Sequence, residues 1–226
     1  MTTQTLTPLV PAFLLAPPGV YRPQHDTHLL ARALSREDMS SGTRVLELGT
    51  GSGALALEAA RRGARVTAVD ISWRAVLTAR FNAMIARKHV TVRHGDLTAA
   101  VAGQSYDLVI SNPPYVPSPD ARLPRKGAAR AWEAGHDGRI LVDRICDAVP
   151  VVLRPTGVLL VVHSGLCGVD ATLDRLAGAG MAPVVTDRAM VPFGPVLRSR
   201  LPWLRRTGLL GDEVEEELVV IRAEHA

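Results

Sequence analysis

Short apolar stretches alternate with helix-like patterns along most of this chain. Five-residue apolar runs end in glycine or polar residues, and patterns with helical spacing follow them. Strands are predicted at Arg44–Leu48, Arg65–Val69, Val90–Arg93, Tyr106–Ile110, Val158–His163, Val184–Thr186 and Glu217–Arg222. Helices are predicted at Thr27–Leu34, Gly53–Arg62, Ser72–Lys88, Asp137–Val149 and Asp170–Ala179, with Asp26 and Ser72 as N-caps of the first and third.

Strands separated by helices indicate an α/β fold with a mostly parallel sheet covered by helices on both faces. The last two strands have no convincing helix between them. Residues 193–211, rich in proline, glycine and arginine, are predicted to form a long loop before an antiparallel final strand. We expect a single domain over residues 1–226, in which residues 1–40 form an N-terminal arm and a short helix.

Composition narrows the class of protein. The chain has 226 residues, a formal net charge of +4 and two cysteines. Cys146 and Cys167 lie in apolar surroundings without metal-ligand spacing, which indicates core thiols in a reducing compartment. The apolar run Pro8–Pro18 is broken by prolines and has no basic residue before it, so a membrane span or signal peptide is not expected. We therefore expect a cytoplasmic protein that does not bind membranes.

A glycine-rich turn follows the first predicted strand. It reads Glu47-Leu48-Gly49-Thr50-Gly51-Ser52-Gly53, and glycines there allow a ligand to approach the backbone. The spacing differs from the dinucleotide pattern G-x-G-x-x-G, and Glu47 would repel a pyrophosphate. A carboxylate there suits the ammonium of an amino acid, which points to S-adenosylmethionine.

Acidic residues also end the next two predicted strands. Asp70 can accept both hydroxyls of a ribose. Asp96 can accept from the adenine amino group, while Leu97 offers a backbone N–H to the ring. An acid at each of three successive strand ends, beside the glycine turn, predicts a site for S-adenosylmethionine.

The fourth predicted strand runs into Asn112-Pro113-Pro114-Tyr115. The Asn112 side-chain oxygen and the Pro113 carbonyl can each accept one N–H of a planar NH₂ group, which would orient its nitrogen towards an electrophile. The Tyr115 ring can stack on the flat face of that group. This motif predicts N-methylation with Asn112, Pro113 and Tyr115 as the catalytic residues, and no metal is expected because the histidines lack ligand spacing.

These motifs resemble those of class I methyltransferases, and more narrowly of the HemK-type glutamine N5-methyltransferases of release factors. The segments Val20–Leu30 and Ala131–Arg139 are similar to stretches of the family's short branch, which lacks an N-terminal helical domain. The resemblance implies a Rossmann-like fold with a seven-stranded sheet, and Asn-Pro-Pro-Tyr would bind the glutamine amide. Thr27 would contact the methionine carboxylate of the cofactor.

The resemblance also implies partners and a full set of site residues. The protein substrate would be a release factor, and a small zinc-binding activator subunit would cover an exposed sheet edge. The residues expected to bind the cofactor are Thr27, Glu47, Gly49, Thr50, Gly51, Gly53, Asp70, Ile71, Asp96, Leu97 and Asn112.

The sequence also allows other methyl acceptors. Adenine-N6 and cytosine-N4 methyltransferases use the same motif on a flipped base. Such enzymes usually need a target-recognition region with a basic face. Here only two segments could form one, the basic cluster of Arg122, Arg125, Lys126 and Arg130 and residues 193–211. Both are too small, so nucleic acid is not the expected partner. Small-molecule methylation is a second alternative, in which Phe193, Leu201 and Trp203 would form a lid. A binding protein without catalysis is a third, and the intact Asn-Pro-Pro-Tyr motif argues against it.

Overall fold

The computed structural model describes residues 13–124 and 127–226. Its strands are β1 (Arg44–Leu48), β2 (Arg65–Asp70), β3 (Val90–His94), β4 (Tyr106–Ser111), β5 (Leu153–Ser164), β6 (Met181–Pro192) and β7 (Glu215–His225). Its helices are α1 (His25–Leu34), α2 (Ala54–Arg61), α3 (Trp73–Ile85), α4 (Ile140–Ala148), α5 (Val169–Gly178) and α6 (Pro195–Arg206). No helix in this part of the chain is long and apolar enough to cross a membrane.

The strands form one seven-stranded sheet in the order β3-β2-β1-β4-β5-β7-β6. Strands β1 to β5 pair in parallel, while β7 lies antiparallel between β5 and β6. The predicted α/β class, the seven strands and the antiparallel final strand are confirmed. The carboxyl ends of the parallel strands share one edge of the sheet with the beginning of β7.

The central strands are buried because their side chains are apolar on both faces. Residues Val158 to Val162 of β5 are all at most 8% exposed. This continuous apolar run is what a parallel sheet with helices on both faces requires. Removing such a run from water is the largest favourable contribution to folding.

The structure corrects the start of two predicted helices. α1 begins at His25, with Gln24 at its N-cap position, so the prediction of Asp26 as N-cap is wrong. The helix predicted from Asp137 begins at Ile140. Gly138 has φ +75°, which is left-handed and therefore interrupts a right-handed helix. The predicted N-cap Ser72 is confirmed, because its side chain accepts from the Ala75 N–H.

The long loop predicted for residues 193–211 is also wrong, because this segment contains α6. Pro195 stands in the first turn of this helix. The N–H groups of a first turn have no partner within the helix, so a proline there loses no hydrogen bond. The apolar face of α6 packs into a second small core, formed by Phe193, Leu197, Leu204 and Leu210 with Leu201 and Trp203 against it. Val116 after β4 and Leu166 after β5 pack against the same cluster, so the segment completes the packing at this edge of the sheet.

Candidate active site

One cavity of about 660 Å³ lies at the carboxyl edge of the sheet. It is lined by the glycine turn after β1, the ends of β2 and β3, and the Asn-Pro-Pro-Tyr turn after β4. The beginning of β7 and the first turn of α6 also line it. All of the predicted site residues except Gly53 line this cavity.

The glycine turn takes a conformation that other residues rarely adopt. Gly49, Gly51 and Gly53 have φ of +72°, +54° and +83°. A Cβ added at Gly53 would lie 3.1 Å from the Cβ of Ala79, so Gly53 lets α2 and α3 approach each other closely. Gly53 thus supports the site through packing, while Gly49 and Gly51 form the cavity wall.

Glu47 is buried at the base of this turn, with 3% exposure. Its carboxyl accepts from the Thr50 hydroxyl and, at 3.0 Å, from the Ala56 N–H. Burial raises the pKa of Glu47 to about 8, against the lowering effect of those hydrogen bonds. A cation in the cavity would stabilise the ionised form and lower this pKa.

Asp70 links the glycine turn after β1 to the N-terminus of α3 through hydrogen bonds. Its Oδ2 accepts from the Gly51 N–H at 2.9 Å and its Oδ1 from the Ser72 N–H at 2.8 Å. Burial raises the pKa of Asp70, while these hydrogen bonds lower it. Each carboxylate oxygen has a further lone pair for a ligand hydroxyl, so the predicted contact with a ribose fits this geometry.

Asp96 lies at the third strand end and forms an ion pair with Arg144 of α4 at 2.7 Å. Leu97 follows with φ +45°, a strained value for a leucine. Together with Ile71, these residues line the end of the cavity where the adenine was expected.

Asn112 has a fixed side-chain orientation. Its Nδ2 donates to the Thr27 hydroxyl of α1 at 3.2 Å, so its Oδ1 is directed away from Thr27. The Thr27 hydroxyl in turn donates to Asp26 Oδ1 at 3.2 Å. Thr27 was expected to contact the cofactor, and here it holds the side chain that the sequence assigned to the acceptor.

Tyr115 is anchored by a carboxylate. Its hydroxyl donates to Asp26 Oδ2 at 2.8 Å, and the Tyr21 hydroxyl donates to the same oxygen at 2.6 Å. Burial and the charge of Asp26 raise the pKa of Tyr115. The phenol therefore stays protonated and its ring is held at the cavity wall.

The backbone of the Asn-Pro-Pro-Tyr turn is held from behind. The Cys167 thiol donates to the Tyr115 carbonyl at 3.1 Å, and the Val116 N–H donates to the Trp132 carbonyl at 2.7 Å. A Cβ at Gly138 would lie 2.2 Å from the Tyr115 carbonyl oxygen, so only glycine allows this packing. Burial raises the pKa of Cys167, which makes it an inert structural thiol.

Sequence reasoning missed three residues of the site. Asp26 and Tyr21 anchor Tyr115, and Glu216 lines the cavity from β7. Their signal was weak: Asp26 was assigned to a helix cap, and the last strand was predicted to begin at Glu217. In the predicted basic cluster, Arg130 lines the cavity and Arg122 is exposed, while Arg125 and Lys126 lie outside the described residues.

The cavity fits a nucleoside that carries an amino acid better than it fits a pyrophosphate. Carboxyl groups of Glu47, Asp70 and Asp96 line it where the glycine turn meets the sheet edge. Among residues 13–124 and 127–226, no group of three or more His, Cys, Asp or Glu side chains could hold a metal ion.

Comparisons with known proteins identify the family of this chain. A family model described as the methyltransferase small domain matches residues 14–123. A Methanocaldococcus jannaschii protein named as a protein N5-glutamine methyltransferase is 32% identical over 177 residues, which cover 78% of this chain and 88% of that protein. A release factor glutamine methyltransferase of Xylella fastidiosa is 37% identical over 182 residues, which cover 77% of this chain and 66% of that enzyme.

A solved structure shares the fold over nearly its whole length. The E. cuniculi Mtq2–Trm112 complex, responsible for methylation of the termination factor eRF1, matches with a TM-score of 0.64 and 25% identity, over 92% of this chain and 99% of that one. The relative from M. jannaschii exceeds 30% identity over most of both chains. The chain therefore belongs to the HemK-type family of release factor glutamine N5-methyltransferases, and it is an enzyme with the Rossmann-like fold of class I methyltransferases.

Proposed function

We propose that this protein transfers the methyl group of S-adenosylmethionine to the side-chain amide nitrogen of the glutamine in a release factor Gly-Gly-Gln segment. The orientation of Asn112 carries this proposal. Because Nδ2 donates to Thr27 at 3.2 Å, Oδ1 is left to accept an N–H from the acceptor. The names of the relatives support the same acceptor.

Positioning is the main catalytic contribution of the chain. An amide nitrogen is a weak nucleophile because its lone pair is delocalised into the carbonyl. Asn112 Oδ1 and the Pro113 carbonyl each accept a hydrogen bond from one amide N–H, and both hydrogen bonds strengthen as the N–H groups become more acidic in the transition state. The nitrogen bonds to the methyl carbon as the bond from that carbon to sulfur breaks, which leaves S-adenosylhomocysteine, and one of the two N–H protons is then lost to solvent. The Tyr115 ring, held by Asp26, packs on the amide plane.

S-adenosylmethionine, when bound, supplies an electrophilic methyl group. Asp70 would hold its ribose, Asp96 and Leu97 its adenine, and Glu47 its ammonium. A Cβ added at Gly49 would meet no atom within 4 Å, so this glycine leaves room for the ligand beside the backbone.

Methyl transfer from labelled S-adenosylmethionine to a purified release factor tests this function. We expect label on the wild-type factor and none on a factor whose Gly-Gly-Gln glutamine is changed to alanine. Equal label on both factors would contradict the assignment of the acceptor. The same assay with nucleic acid or small molecules would then identify the acceptor.

We further propose that a small zinc-binding activator protein docks beside β3. This strand is an edge of the sheet, and α3 presents an exposed apolar stripe next to it. The stripe consists of Trp73, Leu77, Phe81, Met84 and Ile85, which are 44–66% exposed. A helix that is apolar on its outer face favours a partner, and an open strand edge can receive an additional strand.

The E. cuniculi neighbour was solved as a complex with a second protein, which supports this proposal. Mixing this chain with the corresponding small zinc protein of its own host should give a 1:1 complex by light scattering, with higher turnover. Phe81→Glu should prevent the complex. Val184→Glu, at a 52% exposed position on the opposite edge strand, is the matched control and should leave it intact. Equal loss with both variants would contradict docking at β3.

A further inference from the structure

Glu216 occupies an unusual position at the beginning of β7. Because β7 is antiparallel to its neighbours, it begins at the carboxyl edge of the sheet, where the cavity lies. Glu216 is paired in register with Val191 of β6 and lines the cavity near Tyr115. The apolar residues Val191, Leu197 and Leu218 line the same cavity.

This carboxyl is buried and incompletely hydrogen bonded. Glu216 is 7% exposed, and its Oε1 has no hydrogen-bond partner within the described part of the chain. An unpaired charged acceptor in the interior costs folding free energy, and an N–H from a bound ligand would remove that cost. No step described above for the methyl transfer uses this residue.

The groups that face Glu216 come from several elements. They are Asp26 of α1, Tyr21 before α1, Tyr115 after β4, Ser164 at the end of β5, and Cys167 after β5. Burial and repulsion by Asp26 raise the pKa of Glu216 to about 7, while a hydrogen bond with the Ser164 hydroxyl lowers it. The residue therefore changes charge near neutral pH.

We propose that Glu216 binds the acceptor segment by accepting a main-chain N–H next to the methylated glutamine. This inference rests on the proposed function. The glutamine amide N–H groups are held by Asn112 and Pro113, and two glycines have no side-chain donor. The remaining donors of a Gly-Gly-Gln segment are its main-chain N–H groups, and glycines allow that backbone to approach the cavity wall closely.

A pH dependence follows from the chemistry. An ionised carboxylate is a stronger acceptor than a carboxylic acid, so acceptor binding should improve as the pH rises from 6 to 8. Glutamine at this position keeps the shape of the side chain but loses the charge. Glu216→Gln should therefore weaken acceptor binding and remove this pH dependence.

The test compares wild type, Glu216→Gln and the matched control Glu215→Gln with an intact release factor over pH 6–8. Glu215 is the exposed neighbour, and its change should have no effect. We expect Glu216→Gln to raise KM for the factor about tenfold at pH 8. Its kcat and its affinity for S-adenosylhomocysteine should stay within about twofold of wild type, as removal of uniform binding predicts. Glu216→Asp should keep the pH dependence.

Several results would overturn the inference. An unchanged KM, or a pH profile that survives in Glu216→Gln, would remove Glu216 from acceptor binding. Loss of cofactor affinity or early thermal unfolding would assign it a structural role. Absence of methyl transfer by wild type to the glutamine would instead overturn the proposed function, and this inference with it.

Discussion

At the scale of single residues, the site depends on which way one amide points. Asn112 can accept from a substrate only if its oxygen faces the cavity, and Thr27 sets this by accepting from Nδ2. Thr27 is itself placed by Asp26, which accepts from the Thr27 N–H at 2.6 Å. A short chain of hydrogen bonds from α1 therefore prepares the turn after β4 for its acceptor.

Thr27→Val tests this chain because it removes the hydroxyl and keeps the side-chain shape. We expect kcat to fall about tenfold through loss of Asn112 orientation, with little change in cofactor affinity. Stopped-flow methyl transfer and calorimetry separate the two quantities. Weaker cofactor binding with normal kcat would instead support the predicted contact between Thr27 and the methionine carboxylate.

Glu47 gives a second prediction at this scale. Its pKa of about 8 means that it is mostly protonated at pH 6.5 before a ligand binds. An ammonium placed against it would favour the carboxylate, so cofactor binding should release close to one proton at pH 6.5. Calorimetry in buffers of different ionisation enthalpy measures this number. Glu47→Gln should abolish the release, and a wild type without release would contradict the ammonium contact.

At the scale of elements, residues 13–24 form a strap before α1 whose later residues line the cavity next to the glycine turn. The Asn82 side chain of α3 holds it, accepting from the Leu15 N–H at 3.0 Å and donating to the Leu15 carbonyl at 2.9 Å. Asn82 also donates to the Ser52 carbonyl at 2.8 Å. Pro18, Gly19, Val20 and Tyr21 of this strap line the cavity.

Asn82→Ala should therefore loosen the strap and weaken cofactor binding. The Asn82 side chain is 4% exposed, and its removal leaves three backbone groups without a hydrogen-bond partner. We expect the dissociation rate of S-adenosylhomocysteine to rise about tenfold in a stopped-flow displacement. Met84→Ala, at an exposed position of the same helix, is the control. Equal rates in both variants would show that the strap does not retain the ligand.

The elements also show what could be predicted from the sequence. The parallel strands and the residues at their ends were predictable, because apolar runs and glycine or acidic residues mark them locally. α6 was missed since Pro202 inside it and Pro195 at its start suggested a loop. Glu216 was missed for a related reason: its role depends on β7 running antiparallel to β5, which places its first residues beside a turn more than 100 residues earlier in the chain.

At the scale of the whole molecule, the buried groups His163 and Glu216 should change the free energy of unfolding with pH in opposite directions. Burial lowers the pKa of His163 to about 4, so the folded state binds fewer protons there than the unfolded state, and His163 destabilises the fold as the pH falls below about 6.5. The pKa of Glu216, about 7, is raised from its ordinary 4.5. Its destabilising effect is therefore absent below about pH 4.5, grows as the pH rises, and is complete above about 7.

Glu216→Gln should consequently stabilise the protein at pH 8 by up to about 3 kcal/mol and have no such effect at pH 4.5. Thermal unfolding at the two pH values measures this difference. A binding group that costs stability in the free enzyme is a common compromise between stability and function. Equal stability of the variant and wild type at pH 8 would show that burial of the ionised Glu216 carboxylate does not destabilise the fold.

The most direct measurement of how this molecule works is single-turnover methyl transfer by Asn112→Ala to the release factor. Because Asn112 Oδ1 is assigned to orient the glutamine amide, turnover should fall at least about a thousandfold. Binding of S-adenosylhomocysteine by calorimetry should stay near the wild-type value. Methyl transfer within a few-fold of wild type would contradict the assignment of Asn112 as the group that positions the amide.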